Sequence, residues 1–440
     1  MSATRVVVVG GGVAGITAAL DCADSGAAVT LVEVRPQLGG AAYSLERGGL
    51  QLDNGQHVFL RCCTAYRALL DRIGGTAGVE LQRRLEIPVL RPGRRQAVLR
   101  RSALPAPAHL ATTLLRYRHL APAERIAAGR AALAIRGLDP ACDDRTLGDW
   151  LTEHGQSPRA IANLWDLIAL PTLNLPAAEA SLGLGAFVFQ QGLLRSASAG
   201  DIGVHRAPLS DVIGRPAAHT LDHAGVAVRL RWRARAVARV GRAFEVRGAD
   251  QTLVADRVIV AVPHQRAAAL LPNELRGDAP WAEGLGKSPI VNLHVVYDRR
   301  VLEHRFAATV DSPVQYVFDR TPVDWTGARQ YIAVSLSGAR AEMEMSVDTL
   351  RERYLAALEA LLPHAVGATV ERFAVTREHA ATFRAAPGVR ALRPAAATAL
   401  PGFALAGAWT ATGWPATLEG AALSGHAAAT AVLDGGHAAA

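Results

Sequence analysis

The sequence predicts an α/β fold in which a parallel-sheet unit is interleaved with a second, α+β unit. Three observations predict it. Residues 6–15 read VVVVGGGVAG, an apolar strand running through a glycine turn into a helix. A second apolar strand, ADRVIVAVP at 255–263, lies mid-chain. A third starts FALAG at 403, just ahead of a small-residue helix. At 440 residues the chain is long enough for more than one unit, each with its own core.

Residues 5–9 form the first strand, all valine after Arg5. A helix from Val13 to Ser25 and a strand over Ala28–Glu33 complete a β-α-β unit of about 30 residues, the size the motif requires. Residues 50–60 begin with strand-like alternation, and 64–73 read as helix. From about residue 80 to 200, Ala/Leu/Arg stretches take helical spacing, as in Leu110–Tyr117 and Pro122–Arg136, punctuated by Pro105, Pro107 and Pro122. Val226–Val262 reads as a β-meander feeding a final buried strand. Residues 290–297 and 330–337 alternate as an antiparallel sheet would. Asp348–Leu362 is an amphipathic helix, with Asp348 as its cap and Pro363 just past its end. Phe403–Ala406 is a buried strand and Gly420–Leu433 a helix. No internal repeat is visible. The expected division is 1–75, 200–270 and 390–440 for the first unit, and 76–199 and 271–389 for the second.

Half of the residues are hydrophobic, which excludes a disordered chain. The net charge is +8, and Lys287 is the only lysine. Charge alone does not choose among anionic lipid, nucleic acid and acidic substrates. Cys22, Cys62, Cys63 and Cys142 include no CxxC pair and no ligand spacing with histidine, so no metal site is expected. No oxidising compartment is required. The N-terminal apolar run is broken by three glycines and lacks a basic start, so no signal peptide is expected. Pro394–Leu418 is uncharged and long enough to span a bilayer. Pro401, Gly402, Gly407, Gly413 and Pro415 interrupt it, and such breaks would strand backbone groups in lipid. It reads as strand, loop and helix start.

Gly10, Gly12 and Gly15 form GxGxxG between strand and helix. In turn they permit the tight turn, the close approach of backbone to a pyrophosphate, and helix–strand packing. The helix N-terminus at Val13 and Ala14 offers free amides to phosphate. Glu33, at the end of the second strand, can accept bonds from ribose hydroxyls.

Residues 33–40 spell ExRxxxGG, with Arg35, Gly39 and Gly40 in the fixed positions. This resembles the flavin amine oxidase and phytoene desaturase superfamily. The resemblance implies FAD as cofactor, with the arginine and glycine pair along it and Val237 offering backbone atoms to adenine. It also implies a Rossmann-like FAD-binding domain of amine-oxidase type, interleaved with an α+β substrate domain. Three further segments are similar to the hydroxysqualene dehydroxylases: DNGQHVFLRCCTAYRALLDRIG at 53–74, DIGVHRAPLSDVIG at 201–214 and AGAWTATGWPATLEGAALSG at 406–425. Together these matches extend over nearly the whole chain, and imply that Gly407, Ala408, Thr417 and Leu418 lie at the flavin end. Two positions depart from the superfamily pattern. Ala408 stands where an aspartate often bonds the ribitol, and Ala41 where an arginine often follows the glycine pair. Each departure removes a polar contact worth about 0.5–1.5 kcal/mol.

The resemblance implies removal of a hydroxyl from a C30 isoprenoid alcohol, giving squalene. That chemistry needs a proton for the leaving hydroxyl, tolerance of a cation, and a hydride from reduced flavin. Asp53 and His57 are the candidate acids. The alternative for them is structural, as a turn residue beside Asn54–Gly55 and a satisfied core histidine. Glu419 reads better as a residue at a helix N-terminus. Tyr43, Phe59, Trp409 and Trp414 could face a cation or the substrate. Thr410, Thr412 and Thr417 could donate to flavin or simply form turns.

So insoluble a substrate must come from lipid or from a neighbouring squalene-pathway enzyme. Residues 80–150 hold thirteen arginines against seven acids, and a basic amphipathic stretch there could lie on anionic lipid. The location expected is cytoplasmic, with peripheral contact at the inner face of the cell membrane. No nucleic-acid motif is present. The sequence identifies no electron donor. Two other readings stand beside the dehydroxylase: a carotenoid-type desaturase or amine oxidase, and a non-catalytic isoprenoid carrier.

Overall fold

The computed structural model describes residues 3–277 and 279–434. β1 (Arg5–Val9) is buried at every valine, with exposures of 1, 3, 0 and 4% for Val6 to Val9. β-Branched side chains covered on both faces are what a central parallel strand requires. α1 (Val13–Asp24) returns the chain to β2 (Ala28–Val32), which pairs parallel with β1. The full order of this five-stranded sheet is Ala227–Arg229, β2, β1, Arg257–Val260 and Phe403–Leu405. All pairs are parallel, so every strand ends at one edge. Ligands bind outside that edge in doubly wound sheets. The final helix, Leu418–Asp434, packs against α1 where Gly425 admits the α1 backbone, since a Cβ there would lie 2.4 Å from the Ala14 carbonyl oxygen.

Residues 44–73 supply β3 (Ser44–Arg47), β4 (Leu50–Asp53), β5 (Val58–Leu60) and α2 (Thr64–Ile73). β3 and β4 form a hairpin that aims Asp53 and the following loop at the sheet edge.

Three expectations are corrected. The meander is real over Ala236–Val240, Ala243–Arg247 and Thr252–Ala255, but Ala227–Arg229 leaves it to become the edge of the parallel sheet. Residues 80–100 are not helical. Glu86–Arg91 and Arg94–Arg100 form a hairpin about Pro92–Gly93, with Gly93 at φ +61°, so turn chemistry and strand pairing override the Arg/Leu spacing. The late amphipathic helix runs over Val347–Leu361 and is capped by Ser346, whose hydroxyl accepts the Thr349 amide at 3.0 Å. Asp348 instead complements the dipole from the first turn.

The second unit centres on a seven-stranded sheet. Its order is Val370–Thr382, Ser288–Tyr297, Gln330–Ser337, Tyr316–Asp319, Phe306–Thr309 and then the Glu86–Arg100 hairpin. The expected pairing of 290–297 with 330–337 is present and antiparallel. α3 (Ala111–Arg116) and α4 (Pro122–Arg136) pack on the outside, and α4 buries only Ala128, Ala131 and Ile135. No helix among the described residues is long and apolar enough to cross a membrane.

Candidate active site

The turn after β1 is built for a close ligand. A Cβ on Gly15 would sit 1.8 Å from the Gly10 carbonyl oxygen. Gly40, at φ +59°, would place a Cβ 2.6 Å from the Gly12 Cα. Gly12 and Gly39 form an isolated bridge, so two glycine-rich turns lie side by side. The N-terminus of α1 has Gly12 as its cap residue and no side-chain cap, which leaves the Val13 and Ala14 end open to an anion. Glu33 is 6% exposed and accepts the Gly11 amide at 2.6 Å and the Arg35 amide at 2.8 Å. Each carboxylate oxygen still has a lone pair for a ribose hydroxyl. The Arg35 guanidinium donates to the Gly40 carbonyl at 2.7 Å and lies 4.3 Å over the Tyr43 ring. Bare backbone, helix amides and a guanidinium are the donor set a dinucleotide pyrophosphate needs, so these residues fit FAD. Val237 lies in an edge strand of the meander, which leaves one backbone edge without a neighbouring strand. Gly407, Ala408, Thr417 and Leu418 follow Phe403–Leu405 at the same sheet edge, and the Thr417 hydroxyl accepts the Gly420 amide at 3.1 Å.

A polar cluster lies next to the second glycine turn. Asp53 is 3% exposed and its carboxylate is fully engaged. It accepts Ser44 Oγ at 2.7 Å, the Leu209 amide at 2.9 Å and Arg320 Nη2 at 2.5 Å. The Asn54 side chain donates to the Ala41 carbonyl at 2.9 Å and to Glu378 Oε1 at 3.1 Å. Tyr43 Oη donates to the same Glu378 oxygen at 3.0 Å. Burial, followed by the Glu378 charge, pushes the Tyr43 phenol up, so it keeps its proton. His57 is half-buried. Desolvation lowers its pKa, while Asp53, Glu378 and the Ala41 carbonyl pull the other way. Its own carbonyl accepts His205 Nδ1 at 2.8 Å, and Tyr66 Oη meets His205 Nε2 at 2.7 Å. Burial drives His205 down to about 3, so this buried ring is neutral.

The aromatic candidates do not form one wall. Tyr43 belongs to the polar cluster. Phe59 is 4% exposed and packs edge-on to Tyr66 at 5.5 Å. Trp409 is in the core, stacked on Trp281 at 4.8 Å, with its indole N–H donating to the Val262 carbonyl at 2.9 Å. Trp414 meets Phe187 edge-on at 5.2 Å. Glu419 starts the final helix but caps a different one: it accepts the Ala65 and Tyr66 amides of α2 at 3.1 and 2.7 Å. Glu378, on the strand Val370–Thr382, and Arg320, just after the strand Tyr316–Asp319, join this cluster and carry no local motif in the sequence.

The chain matches the flavin containing amine oxidoreductases over residues 13–433. It is 29% identical to a hydroxysqualene dehydroxylase of Rhodopseudomonas palustris, covering 98% of this chain and 99% of that one. It is 25% identical to a zeta-carotene desaturase of Synechocystis, covering 98% and 97%. Among solved structures it is similar to an oxidoreductase of Methanosarcina mazei, with TM-score 0.74, 16% identity and coverage of 96% and 99%. A putrescine oxidase variant gives TM-score 0.71 at 18% identity, covering 98% and 100%. The chain thus belongs to the flavin containing amine oxidoreductase family and is an FAD-dependent oxidoreductase.

Proposed function

We propose that this enzyme reductively removes the hydroxyl of hydroxysqualene to give squalene. The observation that carries the reading is end-to-end similarity to three proteins of that name, from Rhodopseudomonas palustris, Sinorhizobium fredii and Zymomonas mobilis, each alignment covering 98% of this chain. FAD, when bound and reduced, supplies the hydride. The chain's residues do the rest. Gly10–Gly15, Glu33, Arg35 and Gly39–Gly40 hold the nucleotide, and Val237, Gly407, Ala408, Thr417 and Leu418 complete its site. His57 delivers the proton that leaves with the hydroxyl as water. Only the protonated ring can give that proton; desolvation disfavours this form and Asp53 and Glu378 restore part of it, so the competent fraction grows as the pH falls. Asp53 acts through orientation, fixed by Arg320, Ser44 and the Leu209 amide. Tyr43 and Trp414 meet the apolar substrate from separate sides, and Phe59 and Trp409, both in the core, act only by supporting the elements around them. The unit boundaries at residues 75, 200, 270 and 390 are proposed on the same footing.

The substrate implies a lipid source. Leu115, Ile126 and Leu133 are 64, 63 and 60% exposed on α3 and α4, beside Arg116 and Arg130. An apolar face rimmed by arginine suits the interface of an anionic bilayer, and we assign it as the peripheral contact on the inner face of the cell membrane. A second reading, desaturation of a carotenoid, is favoured by the Synechocystis relative. Incubation of the FAD-loaded enzyme with hydroxysqualene plus a reductant, and separately with zeta-carotene, followed by product chromatography, separates the two. Squalene from the first supports dehydroxylation. Dehydrogenated carotenoid from the second, with no squalene from the first, overturns it.

A further inference from the structure

Arg393 is 6% exposed, and no carboxylate among the described residues forms an ion pair with it. Its Nε donates to the Trp409 carbonyl at 3.3 Å. Its Nη2 donates to the Ala408 carbonyl at 3.1 Å, to Thr412 Oγ1 at 3.3 Å and to the Thr410 carbonyl. The Phe383 ring lies 5.0 Å from the guanidinium carbon. Asp143 is the one acid whose field reaches it appreciably, and its oxygens are engaged by Ser181 Oγ and, at 2.8 Å, by the Arg390 amide. Burial lowers Arg393 to about 10, which still leaves it charged at neutral pH. A buried cation satisfied only by neutral oxygens is an unusual arrangement, since buried charges normally find a counter-charge.

What Arg393 holds is the loop that leaves Phe403–Leu405 at the ligand-binding edge of the parallel sheet. In a trans peptide plane the N–H points away from the C=O. Drawing the carbonyls of residues 408–410 towards Arg393 therefore turns the amides of residues 409–411, which share those peptide planes, away from it. The Thr410 amide folds back on the Gly407 carbonyl at 2.9 Å, and the Ala411 amide reaches Pro394 at 2.8 Å. The Ala408 and Trp409 amides donate to no acceptor among the described residues. Ala408 has no polar side chain, so the loop can meet a ligand there only through its backbone.

We propose that Arg393 is a positioning residue for bound FAD, which presents the Trp409 amide to the cofactor and gives the site a positive charge with no counter-ion. Such a charge favours the cofactor state that carries more negative charge, the reduced one. The inference rests on FAD binding and is independent of which substrate is used.

The test is FAD affinity and midpoint potential of the purified holoenzyme and its variants, with circular dichroism as the folding control. R393M should bind oxidised FAD at least tenfold more weakly. Its affinity for reduced FAD should fall by a further factor of about ten, which lowers the midpoint by about 30 mV for a two-electron couple. R393K keeps the charge and loses the fork of donors, so it should hold the potential while binding FAD with intermediate strength. Wild-type affinity and potential in R393M would overturn the proposal. A fall in affinity with the same potential in all three proteins would overturn its electrostatic half. If R393M does not fold, R393K decides: weaker FAD binding at an unchanged potential supports the proposal, and wild-type binding overturns it.

Discussion

Asp53 and Arg320 are joined across the two units of the chain, with 2.5 Å between Oδ2 and Nη2 and side-chain exposures of 3% and 11%. The same guanidinium donates to the His205 and Ala207 carbonyls. A pair so deeply placed ties β4, the 205–209 segment and the second unit's sheet into one frame. R320M leaves the Asp53 carboxylate buried without its counter-charge. The expected loss is about 3–5 kcal/mol, read from the urea midpoint at constant m. The double variant D53N/R320M should recover part of that loss, because no charge is left stranded. Equal losses in the two proteins would contradict a charge-pair role.

Acid should weaken the fold through His205. Its native pKa of about 3 lies below the ordinary value of 6.5, so the unfolded chain binds the extra proton between those limits. Stability is therefore full above pH 6.5 and falls as the pH drops toward 3, by about 1.4 kcal/mol per pH unit for one group. Replacing the ring with a side chain that cannot titrate, as in H205Q, should flatten urea midpoints measured from pH 7 to pH 4.5. An unchanged slope would place the acid sensitivity elsewhere, with His294 next in line because burial also drives it to about 3.

Cofactor retention should hinge on Gly40. G40A forces a Cβ into a position with φ +59° and against the Gly12 Cα. The strain of a non-glycine residue there is about 1–3 kcal/mol, and the clash falls on the FAD cradle itself. The expected product is a folded, colourless protein. Flavin absorbance after gel filtration checks it, and a yellow variant with wild-type affinity would refute the cradle.

The α3–α4 face makes a prediction about location. Replacing Leu115, Ile126 and Leu133 together by serine should cut co-sedimentation with phosphatidylserine-containing vesicles at least tenfold, with turnover of detergent-dispersed substrate preserved. Wild-type binding should also weaken as salt rises, since part of it is electrostatic. Equal sedimentation of wild type and variant would remove this face as the contact.

The strand, glycine turn and helix at the head of the parallel sheet were legible because their signals are local. β1, the glycine turn and Glu33 lie within about 30 residues, and the constraints on them are backbone constraints that glycine writes directly into sequence. The polar cluster was only half legible. Asp53 and His57 stand in a compact motif, but Tyr43 meets Glu378 across 335 residues and Asp53 meets Arg320 across 267. One acid inside a strand and one arginine just past the end of another have no local pattern to mark them. Trp409 shows the converse failure: its segment is diagnostic, yet its ring is taken up by Trp281 and Val262 in the core. The hairpin over Glu86–Arg100 was hidden because Arg and Leu spacing fits a helix until its strands find a sheet to join.

The most direct test of the central claim is a single turnover without oxygen. FAD-loaded enzyme is reduced to completion, mixed with hydroxysqualene, and followed by flavin absorbance and product analysis. The account predicts reoxidation of the flavin with one squalene formed per flavin. A flavin that stays reduced, with no squalene formed, would contradict it.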